Sequence, residues 1–175
     1  MAFRMLSMAF LVFLLGSGTW AVEADQPPRS LKYYLQQQFG VNELGMVPAA
    51  RAAVNGTATG FGLEVVYEFT MTKTASPQSK VLGYVRGTAI VVNNAVGGNT
   101  FFVQNVIHYD AGSSPGTLSQ QGEAIFENSP WEFAITGGTG IFRKAHGYNV
   151  GRFVSATPTP NGTLITTYYE ATISY

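Results

Sequence analysis

The stretch Glu132-Phe133-Ala134-Ile135-Thr136-Gly137-Gly138-Thr139-Gly140-Ile141-Phe142-Arg143-Lys144-Ala145-His146-Gly147-Tyr148 decides the fold class. An apolar β-branched run leads into three closely spaced glycines, and a second apolar run follows. Glycine takes positive φ without steric cost, so Gly137, Gly138 and Gly140 read as a tight reversal between two strands. A phosphate-cradling loop is the other reading of such glycines. It fails here, because no Lys-Ser/Thr pair ends the run and the Rossmann glycine spacing and following helix are missing.

The same cadence continues outward on both sides. Predicted strands are Phe61–Thr72, Ser79–Val92, Thr100–Tyr109, Thr117–Glu127, Trp131–Thr136, Ile141–Val154 and Thr163–Tyr175. All are rich in β-branched and aromatic residues. The separators carry turn chemistry: Ser76-Pro77, Asn93-Asn94 with Gly97-Gly98, Gly112 to Gly116, Asn128 to Pro130, and Pro158 to Gly162. Leu31–Phe39 fits a helix by propensity and a strand by its tyrosines and short length; Gly40–Gly60 reads as a loop. In the last strand Ile165, Thr167, Tyr169, Ala171, Ile173 and Tyr175 share one face. In Ser79–Val92 both faces are partly apolar, which implies cover on both sides, as in a closed barrel with a filled interior and an outer contact. With Leu31–Phe39 as the eighth strand, the expectation is an all-β chain forming one eight-stranded antiparallel β-barrel.

Composition narrows the function. The 175 residues suggest a single domain. Ten basic and ten acidic residues cancel, which argues against a nucleic-acid partner. Charged residues make up 11% and apolar ones 46%, so a sizeable core can form. Cysteine is absent, which leaves no disulfide framework and no thiol chemistry, and the two histidines, His108 and His146, form no recognisable metal-ligand spacing. No metal or cofactor is expected.

The N-terminus has the pattern of a secretory signal. Arg4 precedes an apolar run from Met5 to Gly16, and small residues follow, placing cleavage after Ala21 or Ala24. The run is short for a bilayer span, which needs roughly 20 apolar residues. The expected layout is therefore a signal peptide over residues 1–24 and one domain over 25–175, secreted and free of the membrane once mature. Asn55-Gly56-Thr57 and Asn161-Gly162-Thr163 are glycosylation sequons in turn-rich stretches.

Several blocks carry a family likeness. Gly137-Gly138-Thr139-Gly140, Phe142, Ala145, Gly147 and Tyr148 resemble a signature of the plant dirigent proteins. Leu31-Lys32-Tyr33-Tyr34, Ser79 to Gly87 and Gly116 to Gly122 resemble three further family blocks at matching spacing. The likeness spans about Ser30 to Tyr175. The related allene oxide cyclases share the barrel, and Phe133 to Gly138 resembles them as closely. The secretory signal and the Ser79–Gly87 block favour the dirigent side.

The resemblance implies a cofactor-free homo-oligomer, dimeric or trimeric, outside the cell in the apoplast. It would orient phenoxy radicals of monolignol type, made by a separate oxidase such as laccase, so that coupling in lignan or phenylpropanoid biosynthesis is stereoselective. The alternative is a cyclase or dehydratase acting on a closed-shell epoxide or quinone methide. The family's pocket acids are only partly retained: Glu68 is kept, while Phe69 and Ala124 stand at acid positions, with Glu123 beside the latter. Trp131 aligns with a family arginine, and Gln36-Gln37 replaces a His-Asp pair.

The candidate catalytic residues are thus Glu68 and Glu123, each of which has an equally simple reading as an exposed or ion-paired side chain. His108 and Asp110 share a strand face and could pair as base and orienter, or simply be surface groups. Phe69, Tyr84, Tyr109 and Trp131 are candidate pocket walls for an aromatic ligand, with core or interface packing as the other reading.

Overall fold

The computed structural model describes residues 27–48, 60–94 and 98–175, together with the backbone of 53–54 and 57–58. The signal segment and the Asn55 sequon lie outside the described residues. Eleven strands follow in chain order: β1 (Ser30–Gln38), β2 (Glu43–Val47), β3 (Ala53–Val54), β4 (Thr57–Ala58), β5 (Glu64–Thr72), β6 (Val81–Val91), β7 (Phe101–Tyr109), β8 (Gly116–Ala124), β9 (Trp131–Gly140), β10 (His146–Thr159) and β11 (Gly162–Ser174). Among the described residues there is no helix. From β5 to β11 each strand pairs antiparallel with the next, β11 pairs with β1, and β1 closes on β5. The result is the eight-stranded antiparallel barrel that the alternation predicts, with β1 as a strand rather than a helix.

The side-chain period of two fixes the interior. Val65, Tyr67, Phe69 and Met71 of β5 point in, as do Val85, Ala89 and Val91 of β6 and Tyr169, Ala171 and Ile173 of β11; all are buried. Their sequence neighbours on the other parity form the outer wall.

Two sequence expectations are corrected. The glycine run is not the turn. Gly137 to Gly140 continue β9, and the reversal lies at Ile141–Lys144. A Cβ on Gly138 would collide with the carbonyl oxygen of Phe142 and come within 2.7 Å of that of Thr117, so glycine serves close strand approach there. Of Gly137, Gly138 and Gly140, only Gly140 takes positive φ, at 60°. This close approach lets the turn fold inward: Phe142 and Ala145 are buried, and Phe142 meets Tyr109 edge-on at 5.9 Å. They plug one end of the barrel.

The second correction concerns Gly40–Gly60, which holds β2 and the short β3–β4 pair instead of a loop. β1 covers only Thr70–Thr72 on the free edge of β5, and then departs. The chain reverses at Gly40–Asn42, where Asn42 accepts from the Gln38 amide at 2.8 Å and donates to the Gln36 carbonyl at 2.9 Å. β2 then pairs with the remaining edge, Glu64–Tyr67. Unpaired backbone groups on an edge strand are costly when covered, and β2 satisfies them.

Candidate functional site

The barrel is solid at the plugged end and hollow at the other. Beside Phe142, the fully buried Tyr33, Met71, Ile107, Leu118 and Ile173 fill the interior. Towards the opposite end, where β1 and β5 splay, a cavity of about 300 Å³ opens. That is near the lower bound for small-molecule sites, roughly 300–1,000 Å³. Its walls are Leu35, Val65, Phe69, Val85, Ala89, Val103 and Phe133, with Tyr67, Trp131 and Tyr169 as rings carrying a polar tip. Phe101, Phe126, Phe153 and Ile165 surround the mouth.

The hydrogen-bonded polar groups inside are neutral. Trp131 Nε1 donates to the Tyr169 hydroxyl at 3.1 Å, and Asn105 Nδ2 donates to the Tyr67 hydroxyl at 3.0 Å. Deeper in, Asn149 Nδ2 donates to Tyr33 (2.8 Å) and to Gln120 Oε1 (2.7 Å). Tyr33 and Tyr169 stack with ring centres 5.4 Å apart. Burial pushes the Tyr169 phenol up to about 12, and raises Tyr33 and Tyr67 further, so all three stay protonated at physiological pH. The Tyr33 and Tyr67 phenols each accept a bond from an asparagine amide, and Tyr169 is bonded to both Trp131 and Thr167. Among the described residues, two buried acceptors have no partner: Asn105 Oδ1 and Asn149 Oδ1.

Two carboxylates line the cavity, and neither was a sequence candidate. Glu43 comes from β2 and stands opposite Tyr67 in the register; Glu127 comes from the segment after β8. Desolvation holds the Glu43 carboxyl above the usual carboxylate range. The sequence concealed Glu43 because β2 reads as loop. Its one trace is the alternation of Glu43, Gly45 and Val47 against Leu44 and Met46.

Of the sequence candidates, Phe69 and Trp131 line the cavity. Glu68 does not: it points outward, its side chain 53% exposed, and holds Arg86 at 2.5 Å. Glu123 is exposed on β8. Tyr84 is on the outer wall under the Arg86 guanidinium, 5.6 Å from the ring centre. Tyr109 faces inward but at the plugged end, against Phe142. Parity explains most of this, since Glu68 cannot join Phe69 on one face, nor Tyr84 join Val85. His108 lies on the outer wall and Asp110 is exposed beyond the end of β7, so the structure does not bring them to the cavity. Gln36 and Gln37 divide: Gln37 lines the cavity and donates to Thr167 at 2.6 Å, while Gln36 is buried in the β1–β5–β11 seam. Among the described residues, no cluster of three metal-ligating side chains occurs.

Comparison with known proteins agrees with the architecture. The family model for dirigent-like proteins matches residues 29–173. The chain is 29% identical over 160 residues to Dirigent protein 23 of Arabidopsis thaliana, covering 85% of this chain and 84% of that protein. Among solved structures, a pterocarpan synthase dirigent protein superposes with a TM-score of 0.69 at 22% identity, covering 83% of this chain and 94% of the other. A second pterocarpan synthase dirigent protein gives 0.66 at 23% identity, over 83% and 84%. A pyocyanin demethylase shares the fold more loosely, at 0.58 and 18% identity, over 83% and 99%. With a family match across nearly the whole described barrel, the chain belongs to the dirigent-like proteins.

Proposed function

We propose that this chain binds a phenolic molecule of monolignol type in the barrel cavity and imposes one facial orientation on its coupling. The radicals would come from a separate oxidase such as laccase. The observation that carries the reading is the cavity itself, closed at one end, walled by aromatic rings, and furnished with neutral hydroxyl and amide groups. Burying aromatic surface supplies affinity, and the few polar groups fix orientation. The test is chiral chromatography of coupling products from laccase with and without the protein. Enantiomeric excess over a monolignol panel supports guidance; racemic product over the whole panel rejects it.

Glu43 favours a second reading. A carboxyl group that burial keeps protonated longer, facing an aromatic cavity, is suited to give a proton to a leaving oxygen. The barrel would then act on a closed-shell epoxide or quinone-methide precursor without any oxidase. Turnover in the absence of laccase, lost in Glu43→Gln, distinguishes this from guidance.

The cellular setting belongs to the same proposal. The N-terminal segment would direct secretion to the apoplast, with glycans on Asn55 and Asn161; Asn161 is exposed in the β10–β11 turn. The outer wall carries half-buried Ile90, Phe102 and Val106, a surface suited to a symmetric homodimer or homotrimer with one cavity per barrel. Glycosidase sensitivity of the native protein and light scattering after deglycosylation test the two points.

A further inference from the structure

The inner end of the cavity carries a matched pair of unused hydrogen-bonding groups. Asn105 is 7% exposed and stands on the inward face of β7, lining the cavity. Its amide nitrogen is committed to the Tyr67 hydroxyl at 3.0 Å, which turns that oxygen into an acceptor and leaves the phenolic proton free. The other amide atom, Oδ1, is buried with no partner among the described residues. A buried acceptor without a donor is destabilising, and native proteins keep few of them. One side chain therefore presents an empty acceptor beside a hydroxyl with an unspent donor.

We propose that Asn105 and Tyr67 form an anchor for a free hydroxyl on the ligand. The ligand's O–H donates to Asn105 Oδ1, and its oxygen accepts from the Tyr67 O–H. The anchor orients the ligand with its hydroxyl end inward and its remaining substituents toward the mouth. It also makes Asn105 a specificity-determining residue: an O-methyl ether can still accept from Tyr67 but has no proton for Asn105. This inference rests on the phenolic reading of the cavity.

Titration calorimetry of the full chain, with 2-methoxy-4-(prop-1-enyl)phenol, whose phenol is its single hydroxyl, and with its O-methyl ether, tests it. The expected result is a preference for the free phenol of about tenfold, the effect of one well-placed hydrogen bond. Asn105→Leu should abolish the preference by weakening the phenol more than the ether; it removes the stranded acceptor and the bond to Tyr67 together, and the melting temperature checks that the variant is folded. Tyr67→Phe should weaken both compounds together and keep their ratio. Equal binding of phenol and ether by the unmodified protein overturns the anchor alone, as does a preference that survives Asn105→Leu. Binding of neither compound overturns the anchor together with the phenolic reading on which it rests.

Discussion

Gly151→Ala should damage both stability and the cavity. Gly151 of β10 lies between Trp131 of β9 and Tyr169 of β11 in the register. A methyl group there would overlap Trp131 Nε1, and would lie 2.6 Å from Tyr169 Cε1 and 2.7 Å from Trp131 Cε2. Carbon contacts settle at about 3.5–4.0 Å, so the rings must retreat by about 1 Å. Neither is free to do so. Trp131 abuts Phe126 edge-on at 5.1 Å, and Tyr169 stacks on Tyr33. Overpacking of this kind costs about 1–3 kcal/mol. Parting Trp131 from Tyr169 strands a buried indole N–H, which costs a further 1–3 kcal/mol or so. An expected loss of about 3 kcal/mol lowers Tm by roughly 6–12 °C in a domain of this size. Calorimetry gives Tm. Emission from Trp131, isolated by Trp20→Phe, reports the indole's surroundings. A melting temperature within about 2 °C of the parent, with unchanged emission, would refute the packing described for this wall.

Glu43→Gln tests the buried carboxyl by linkage. Burial raises the folded pKa above its unfolded value, so this group's contribution is fully present below the ordinary carboxylate range and is lost as pH rises through the folded pKa. The melting temperature of Glu43→Gln relative to the parent should therefore climb as pH rises above the ordinary carboxylate range; a constant gap contradicts the assignment. Glu68→Ala removes a half-exposed ion pair and should cost at most about 1 kcal/mol in urea unfolding, leaving phenol binding unchanged. Gln36→Leu should cost about 2–4 kcal/mol in the same assay, because Gln36 joins Thr72, Ala75 and Thr166 across the barrel seam.

The barrel was legible because β-branched and aromatic runs bounded by turn residues are local signals, and the faces of two strands could be followed directly. The shared face of Ile165, Tyr169, Ala171 and Ile173 in β11 can be read directly from the residues, whereas β6 is apolar on both faces and its inward side is set by the structure. What alternation does not carry is position along the strand and the fate of each edge. Tyr109 has inward parity yet packs at the plugged end, because the plug is Phe142, delivered by a turn three-dimensional in origin. The glycine run misled for a related reason: composition marks where backbone must come close, but close approach within a ladder and reversal in a turn use the same residue. Glu43 was hidden because its strand exists only where β1 abandons the β5 edge, a fact about pairing that no window of sequence contains. A register shift in β10 between Phe153 and Ser155 breaks parity near the mouth as well, so the placement of Phe153 beside the cavity does not follow from the faces of the residues before it.

The distribution of polar groups separates two tasks along the barrel axis. The inner end uses only neutral groups: phenols whose protons burial makes hard to remove, and amides that do not titrate. Taking neutral hydroxyls and amides out of water costs far less than burying ions, so the barrel can close around them without countercharges. The carboxyls that line the cavity, Glu43 and Glu127, come from outside the eight barrel strands: one from the added strand β2, the other from the segment after β8. Any proton chemistry that these carboxyls perform is therefore set by residues outside the eight barrel strands. The same closed inner end can then serve a guide that only orients its ligand or a catalyst that also protonates it, with Glu43 as the residue on which that difference turns.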